Sequence, residues 1–196
     1  MTTSSVKEAE AGKAVPFVPG QPDMWFFALF ETLVFTAYFV VYMFARMQHH
    51  EAFLQSQAKL SLSIGTFNTL VLLVSSWSMA RCVKEARVGA YRSALTNAFL
   101  TASFGVVFLG SKIYEWVREI RLGYGFASDE FFSYYFFLTG IHALHLLIGF
   151  VVLGVVVHQL RSPERRSQNL VETGAVYWHT VDFLWVLVFS LLYVVR

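Results

Sequence analysis

The chain has 196 residues, 56% of them hydrophobic and only 14% charged, against about 25% charged in a soluble domain. With a formal charge of +2 and a mean hydropathy of +0.54, this composition excludes an ordinary soluble domain and a nucleic-acid binder and points to an integral membrane protein. The lone Cys82 excludes an intrachain disulfide framework, and four prolines are too few for a Pro-rich linker.

Residues 1–23 are polar and small, carry Pro16, Pro19 and Pro22, and read as a disordered or extended cytoplasmic tail without a signal-peptide pattern. Apolar runs then predict five membrane-crossing helices, over roughly 24–46, 60–83, 91–117, 131–158 and 173–195. The fold class is therefore an all-α integral membrane protein, one five-helix bundle over residues 24–196.

The first run opens behind Asp23, an N-cap candidate, with Trp25 placed for an interfacial aromatic belt. Its one internal charge is Glu31, about 10 Å into the helix. A carboxylate at that depth needs a proton, a partner or water. Residues 47–59 form a loop or interfacial helix. Its neighbours His49 and His50 point in different directions on a helix and suggest no metal site. The second run carries a small face at Ser61, Gly65 and Thr69 for close helix contact. It also carries Asn68, which needs a hydrogen-bond partner if buried.

The third run ends with Lys112, Glu115, Trp116 and Arg118. Lys112 can snorkel or pair with Glu115 or Glu119, and Glu115 falls near the outer surface. Gly123-Tyr-Gly125 marks a turn, and Ser128 is an N-cap candidate with Asp129 and Glu130 in the first turn. The fourth run has no Asp, Glu, Lys or Arg between Phe131 and His158, and carries His142 and His145 three residues apart. After a basic loop broken by Pro163, the fifth run holds Trp178, His179, Asp182 and Trp185. His179 and Asp182 share one face, as do the two tryptophans; with Trp25 and Trp116 these are the candidate interfacial aromatics.

Alternation puts Lys7, Lys13, Arg81, Lys84, Arg87, Arg92, Arg161, Arg165 and Arg166 on one side, and Arg46, Lys59, Arg118, Arg121 and Arg196 on the other. The positive-inside rule then predicts a cytoplasmic N-terminus and an outer C-terminus.

Glu31, His142, His145, His179 and Asp182 could share neighbouring layers, with Asn68 and Glu115 as structural polar groups. Three readings stay open for the set. Carboxylate–imidazole pairs hold helices together, or relay protons, or ligate haem or metal. Two histidines three apart cannot be the two axial ligands of one haem, so a b-type haem would need His179 opposite one of them. An independent proton or ion transporter is the reading from another class. No glycine-rich phosphate loop is present.

The ordered segments Trp25-Phe-Phe-Ala-Leu-Phe-Glu31, Asn68-Thr69-Leu-Val-Leu-Leu, Lys112-Ile-Tyr-Glu115-Trp116, Thr139-Gly-Ile-His142-Ala-Leu-His145-Leu-Leu-Ile-Gly149 and Tyr177-Trp-His179-Thr-Val-Asp182-Phe-Leu-Trp185 resemble subunit III of the haem–copper oxidases. They look most like the short five-helix form associated with nitric oxide reductase, the NorE type. The resemblance implies a non-catalytic accessory subunit in a bacterial cytoplasmic membrane, with its C-terminus on the periplasmic side. Such a subunit packs on the haem–copper catalytic subunit I, alongside other respiratory subunits, and supports proton uptake during reduction of oxygen to water. It holds no cofactor of its own. Haem and copper, or haem and non-haem iron in a nitric oxide reductase, belong to the partner, and a bound phospholipid is an expected companion. Glu31 matches the family's buried carboxylate, His142 and His145 its paired histidines, and His179 and Asp182 its last-helix motif. The seven-helix family form has two further helices, which this chain does not match.

Overall fold

The computed structural model describes residues 19–195; of the tail expected over residues 1–23, residues 1–18 lie outside them, as does the terminal Arg196, while Pro22 and Asp23 already belong to the first helix. Among the described residues there are six α-helices: α1 (Pro22–Gln48), α2 (His50–Gln57), α3 (Leu62–Arg87), α4 (Tyr91–Arg121), α5 (Glu130–Arg161) and α6 (Gln168–Phe189). A π-helical turn over Ser190–Val194 extends α6. Five of these helices are long and apolar enough to cross a membrane. The short α2 occupies the stretch expected as a loop or interfacial helix.

Four of the five long helices, α1, α3, α4 and α5, run past their expected C-terminal ends because charged and polar residues continue the backbone ladder beyond the apolar runs, while α6 begins earlier than expected, at Gln168. At α3 the stop is Gly89, which takes φ +79°. Its N–H bonds Ala86 O at 3.1 Å, while Ala90 N–H bonds Glu85 O at 2.9 Å. Gly123, at φ +91°, ends α4 in the same way, with Tyr124 N–H on Glu119 O. Both are Schellman ends, which need a left-handed residue after the helix. Two caps differ from expectation. Pro22 occupies the first turn of α1 behind Gln21, so Asp23 lies inside the helix. Asp129, not Ser128, caps α5 and accepts from Phe132 N–H at 2.8 Å; the Ser128 hydroxyl instead donates to Gly125 O.

The elements alternate between two ends. At one end Gly20 and Gln21 donate to Glu172 Oε2 and Thr173 Oγ1, and Arg87 reaches Glu172 Oε1 at 2.7 Å. At the other, His49 meets Glu130 at 2.8 Å and Gln57 donates to Val195 O. The core lies among α3, α4, α5 and α6. Two glycines make room for Trp178 there: a Cβ on Gly105 would stand 2.9 Å from Phe150 and one on Gly149 would stand 3.2 Å from Trp178. Gly65, on the expected small face, admits the rings of Phe189 and Tyr193.

Trp178 and Trp185 are 1% and 0% exposed, which corrects their assignment to an interfacial belt. Their indole N–H groups donate inward, to Ser75 and Thr69 at 3.1 Å each. A buried indole needs such an acceptor, and the hydroxyls of α3 provide it. Trp116 is half-buried and donates to Thr139. Trp25 is exposed at the start of α1 and donates to Pro19 O.

α1 differs from the other four long helices. It turns Phe26, Leu29, Phe30, Leu33, Phe44 and Met47 outward. Its inward side meets α5 and α6 through ring pairs, Phe27–Tyr177, Tyr38–Phe137 and Tyr42–Tyr134.

Candidate functional site: a divided set of buried polar groups

Glu31 projects from α1 to α5, where its Oε2 lies 2.9 Å from His145 Nε2. The imidazole is held from three sides. Its Nδ1 lies 2.9 Å from Ile141 O, Phe35 packs edge-on at 5.5 Å, and Tyr177 OH donates to the His145 carbonyl at 3.0 Å. If Nδ1 carries its proton toward Ile141 O, Nε2 accepts from a protonated Glu31 carboxyl; moving that proton onto Nε2 gives an ionic pair. Either state is a hydrogen-bonded link between two helices and a place where a proton can rest.

His142 is a different kind of residue, although it shares the helix and lies three positions away. Three residues turn the helix by about 300°, leaving the two side chains about 60° apart. That offset carries His142 off the α1 contact and into the core. It is 0% exposed, and neither ring nitrogen has a hydrogen-bond partner among the described residues. Its ring lies against Phe108 at 5.6 Å and Trp185 at 5.1 Å.

His179 bonds across to α3, with Nδ1 2.7 Å from Ser76 Oγ. Asp182, one turn on, also stands near Ser76, but among the described residues neither carboxyl oxygen has a hydrogen bond of acceptable geometry. Asn68 is 0% exposed with both amide atoms unpartnered, so the partner expected for it is not among the described residues. The expected single network is thus divided. Among the described residues, no hydrogen bond joins the Glu31–His145 pair to His142 or to the Ser76–His179 pair.

Of the most complete polar cluster, the sequence reading offered only the Lys112–Glu115 pairing, as an alternative to snorkelling. Lys112 does not snorkel; it is 0% exposed, and its Nζ donates to Glu115 Oε2 at 2.8 Å, Tyr193 OH at 2.8 Å and Tyr135 OH at 3.1 Å. Tyr193 OH in turn donates to Glu115 Oε1 at 2.8 Å. The rings of Tyr135, Trp185 and Tyr193 surround the ammonium within 5.3 Å. Glu115 sits near the end of α4 as its depth suggested, but it is enclosed between helices and not at the edge. The π-turn brings Tyr193 to this cluster. A signal was available: Lys112 and Glu115 stand three apart, where opposite charges on a helix meet.

Glu172 was passed over as part of a loop. It is 3% exposed and accepts from Arg87, Gln168 and the Gly20 amide, joining α3, α6 and the entry to α1. Among the described residues, no group of three or more His, Cys, Asp or Glu side chains stands close enough to hold a metal ion.

The chain is matched over residues 20–195 by the family model for cytochrome c oxidase subunit III. It is 32% identical to cytochrome c oxidase subunit 3 of Thermostichus vulcanus, over 86% of this chain and 83% of that protein. It is 28% identical to the cytochrome bo(3) ubiquinol oxidase subunit 3 of Pseudomonas aeruginosa, over 86% of this chain and 81% of the relative. A haem-copper oxidase subunit I+III of Aeropyrum pernix is also 28% identical, over 88% of this chain but 22% of that longer protein. With Glu31 and His145 joined at 2.9 Å inside an all-helical bundle, and with a match that runs through every described helix, the chain belongs to the cytochrome c oxidase subunit III family.

Proposed function

We propose that the protein is a non-catalytic accessory subunit of a respiratory haem–copper oxidase, seated in the bacterial cytoplasmic membrane against the catalytic subunit. Haem and copper reside in that partner, where oxygen is reduced to water. This subunit stabilises the partner and supports proton uptake. The observation that carries the reading is the Glu31–His145 pair, a carboxylate and an imidazole 2.9 Å apart within two membrane-crossing helices. Such a pair either ties helices together or buffers protons, and both suit a supporting role. The I+III relative unites two such subunits in one chain by name, which supports subunit I as the partner. The relatives described above are named as oxidase subunits, which favours oxygen over nitric oxide as the complex's substrate.

The division of the polar groups favours this role over independent transport. A transporter needs a continuous polar route, whereas apolar rings separate His142 from other hydrogen-bonding groups. The orientation follows from charge: the end holding Arg81, Lys84, Arg87, Arg92, Arg161 and Arg166 faces the cytoplasm, and the C-terminus is periplasmic.

A pull-down in mild detergent from native membranes, followed by an absorption spectrum and metal analysis, tests the proposal. Copurification with a haem- and copper-containing subunit is the expected result. A partner with non-haem iron would move the complex to nitric oxide reduction, and a colourless protein that stays alone in several detergents would end the accessory reading.

A further inference from the structure

Glu119 is the last acidic residue of α4. It lies one turn beyond Glu115 and two turns beyond Lys112, so the three groups share a face of the helix. It is 0% exposed, and among the described residues neither carboxyl oxygen has a hydrogen-bond partner. The neighbouring Arg118 brings Nη1 to 3.5 Å from Oε1, outside hydrogen-bond geometry, on a side chain that is 39% exposed and shared with water.

The other charges at this end are already engaged. The three Nζ hydrogens of Lys112 go to Glu115 Oε2, Tyr135 OH and Tyr193 OH, and Tyr193 OH occupies Glu115 Oε1. The ammonium therefore has no hydrogen left for Glu119. Tyr135 from α5 and Tyr193 from the π-turn bring hydroxyls to the cluster and no charge. At the start of α5, Asp129 is taken by Ser56 and by Phe132 N–H, and Glu130 by His49. Lys59, ahead of α3, lies over the Tyr124 ring at 4.5 Å, and Tyr124 meets Glu119 through the backbone, N–H to O. One enclosed ammonium thus faces two carboxyl groups and is committed to the first. Ionising the second would add a negative charge one turn from Glu115 with no donor in hydrogen-bond geometry, and a buried unpaired carboxylate costs far more than its neutral acid. A proton is the counter-ion that needs no cavity.

We infer that Glu119 is a proton-binding site at the outer end of the bundle, exchanging its proton with the outer solution and coupled to the C-terminal turn through Lys112. While the proton is bound, Lys112 stays on Glu115 and Tyr193 stays on both. When it leaves, Glu119 competes with Glu115 for the ammonium, and the contacts that tie the π-turn to α4 loosen. The bundle thereby carries a sensor of outer pH. The inference stands apart from the accessory role; only the side on which it acts rests on the proposed orientation.

The purified complex is followed by infrared difference spectroscopy and thermal melting between about pH 5 and about pH 9, above the range of ordinary carboxyls. The wild type should show a protonated-carboxyl stretch that fades as pH rises and that Glu119→Gln removes. A carboxyl that keeps its proton on folding adds stability that is complete below the ordinary carboxyl range and lost as pH rises through its folded pKa. Wild-type melting should therefore fall across the range. Glu119→Gln, which mimics the protonated form, should melt at least as high at the alkaline end and with a shallower slope. Arg118→Gln should leave the stretch in place, and in sealed vesicles the stretch should answer to the pH of the side bearing the C-terminus. Identical carboxyl spectra or identical melting slopes for the wild type and Glu119→Gln would overturn the site. Failure of the Glu119→Gln chain to assemble would overturn it too, because the negative charge would then be required. A stretch that appears only in Arg118→Gln would make Glu119 the ionised partner of that arginine, and a response from the opposite side alone would end the exchange with the outer solution.

Discussion

Glu31 and Lys112 are charged side chains within long apolar helices, and they are handled differently. Glu31 keeps one partner at a partly accessible junction, with its side chain 15% exposed. Glu31→Gln retains hydrogen-bonding capacity but removes the ionisable group. The protein should still insert, and the α1–α5 coupling should fall by about 1 kcal/mol, the scale of such bonds in membranes. Thermal melting of the complex and its loss of activity under sustained turnover both read this out; a variant matching the wild type in both would remove Glu31 from the supporting role. A double-mutant cycle with His145→Gln should attribute most of that loss to the pair. Lys112 is enclosed with every donor direction occupied by Glu115, Tyr135 or Tyr193. Lys112→Met alone strands the Glu115 charge and should destabilise by about 3–5 kcal/mol, whereas Lys112→Met with Glu115→Gln should recover much of it. The comparison is made by chemical denaturation in detergent.

At the scale of the helix, close approach is set by a few glycines, and the environment of each predicts its tolerance. A Cβ on Gly174 would meet Val156 Cγ2 at 2.5 Å, while Gly110 and Gly154 have nothing within 4 Å. Gly174→Ala should therefore destabilise by about 1–3 kcal/mol through forced separation of α5 and α6. Gly110→Ala and Gly154→Ala should be neutral or slightly stabilising, because alanine is the better helix former. Melting temperatures of the three variants decide it. The same scale explains what the sequence could not disclose. An unbroken apolar run announces a helix, so the five long helices were legible. Which way a helix faces was less so. The seven-residue spacing of Trp178 and Trp185 put them on one face but left open whether that face meets lipid or protein. For Lys112 the difficulty was depth. A charge nine residues before the end of a long helix resembles a snorkelling anchor until the partner tyrosines, from helices distant in sequence, are known.

Over the whole molecule, the alternation of helix ends was legible from the five apolar runs, and depth put Glu31 and His145 in neighbouring layers together with His142 and Asp182. The division into separate polar groups was not, because depth arithmetic places residues in layers and says nothing about which helices are neighbours. The proposed orientation has a direct check. Cys82 is 0% exposed, so single cysteines can be added without removing it. Ser93→Cys, near the start of α4, should label with a membrane-impermeant thiol reagent from the cytoplasmic side, and Ser128→Cys, before α5, from the periplasmic side. Labelling in the opposite pattern would invert the orientation.

The attachment of α1 carries a consequence for biosynthesis. α1 has its polar partners far along the chain: Glu31 bonds a residue 114 positions later, and Gly20 and Gln21 bond residues 152 positions later. Until α5 and α6 have been made, nascent α1 has Glu31 unmatched, and its docking waits for those two helices. Ribosome-stalled chains ending before α6 should therefore leave α1 open to crosslinking by the insertion machinery, and release of the full chain should withdraw it.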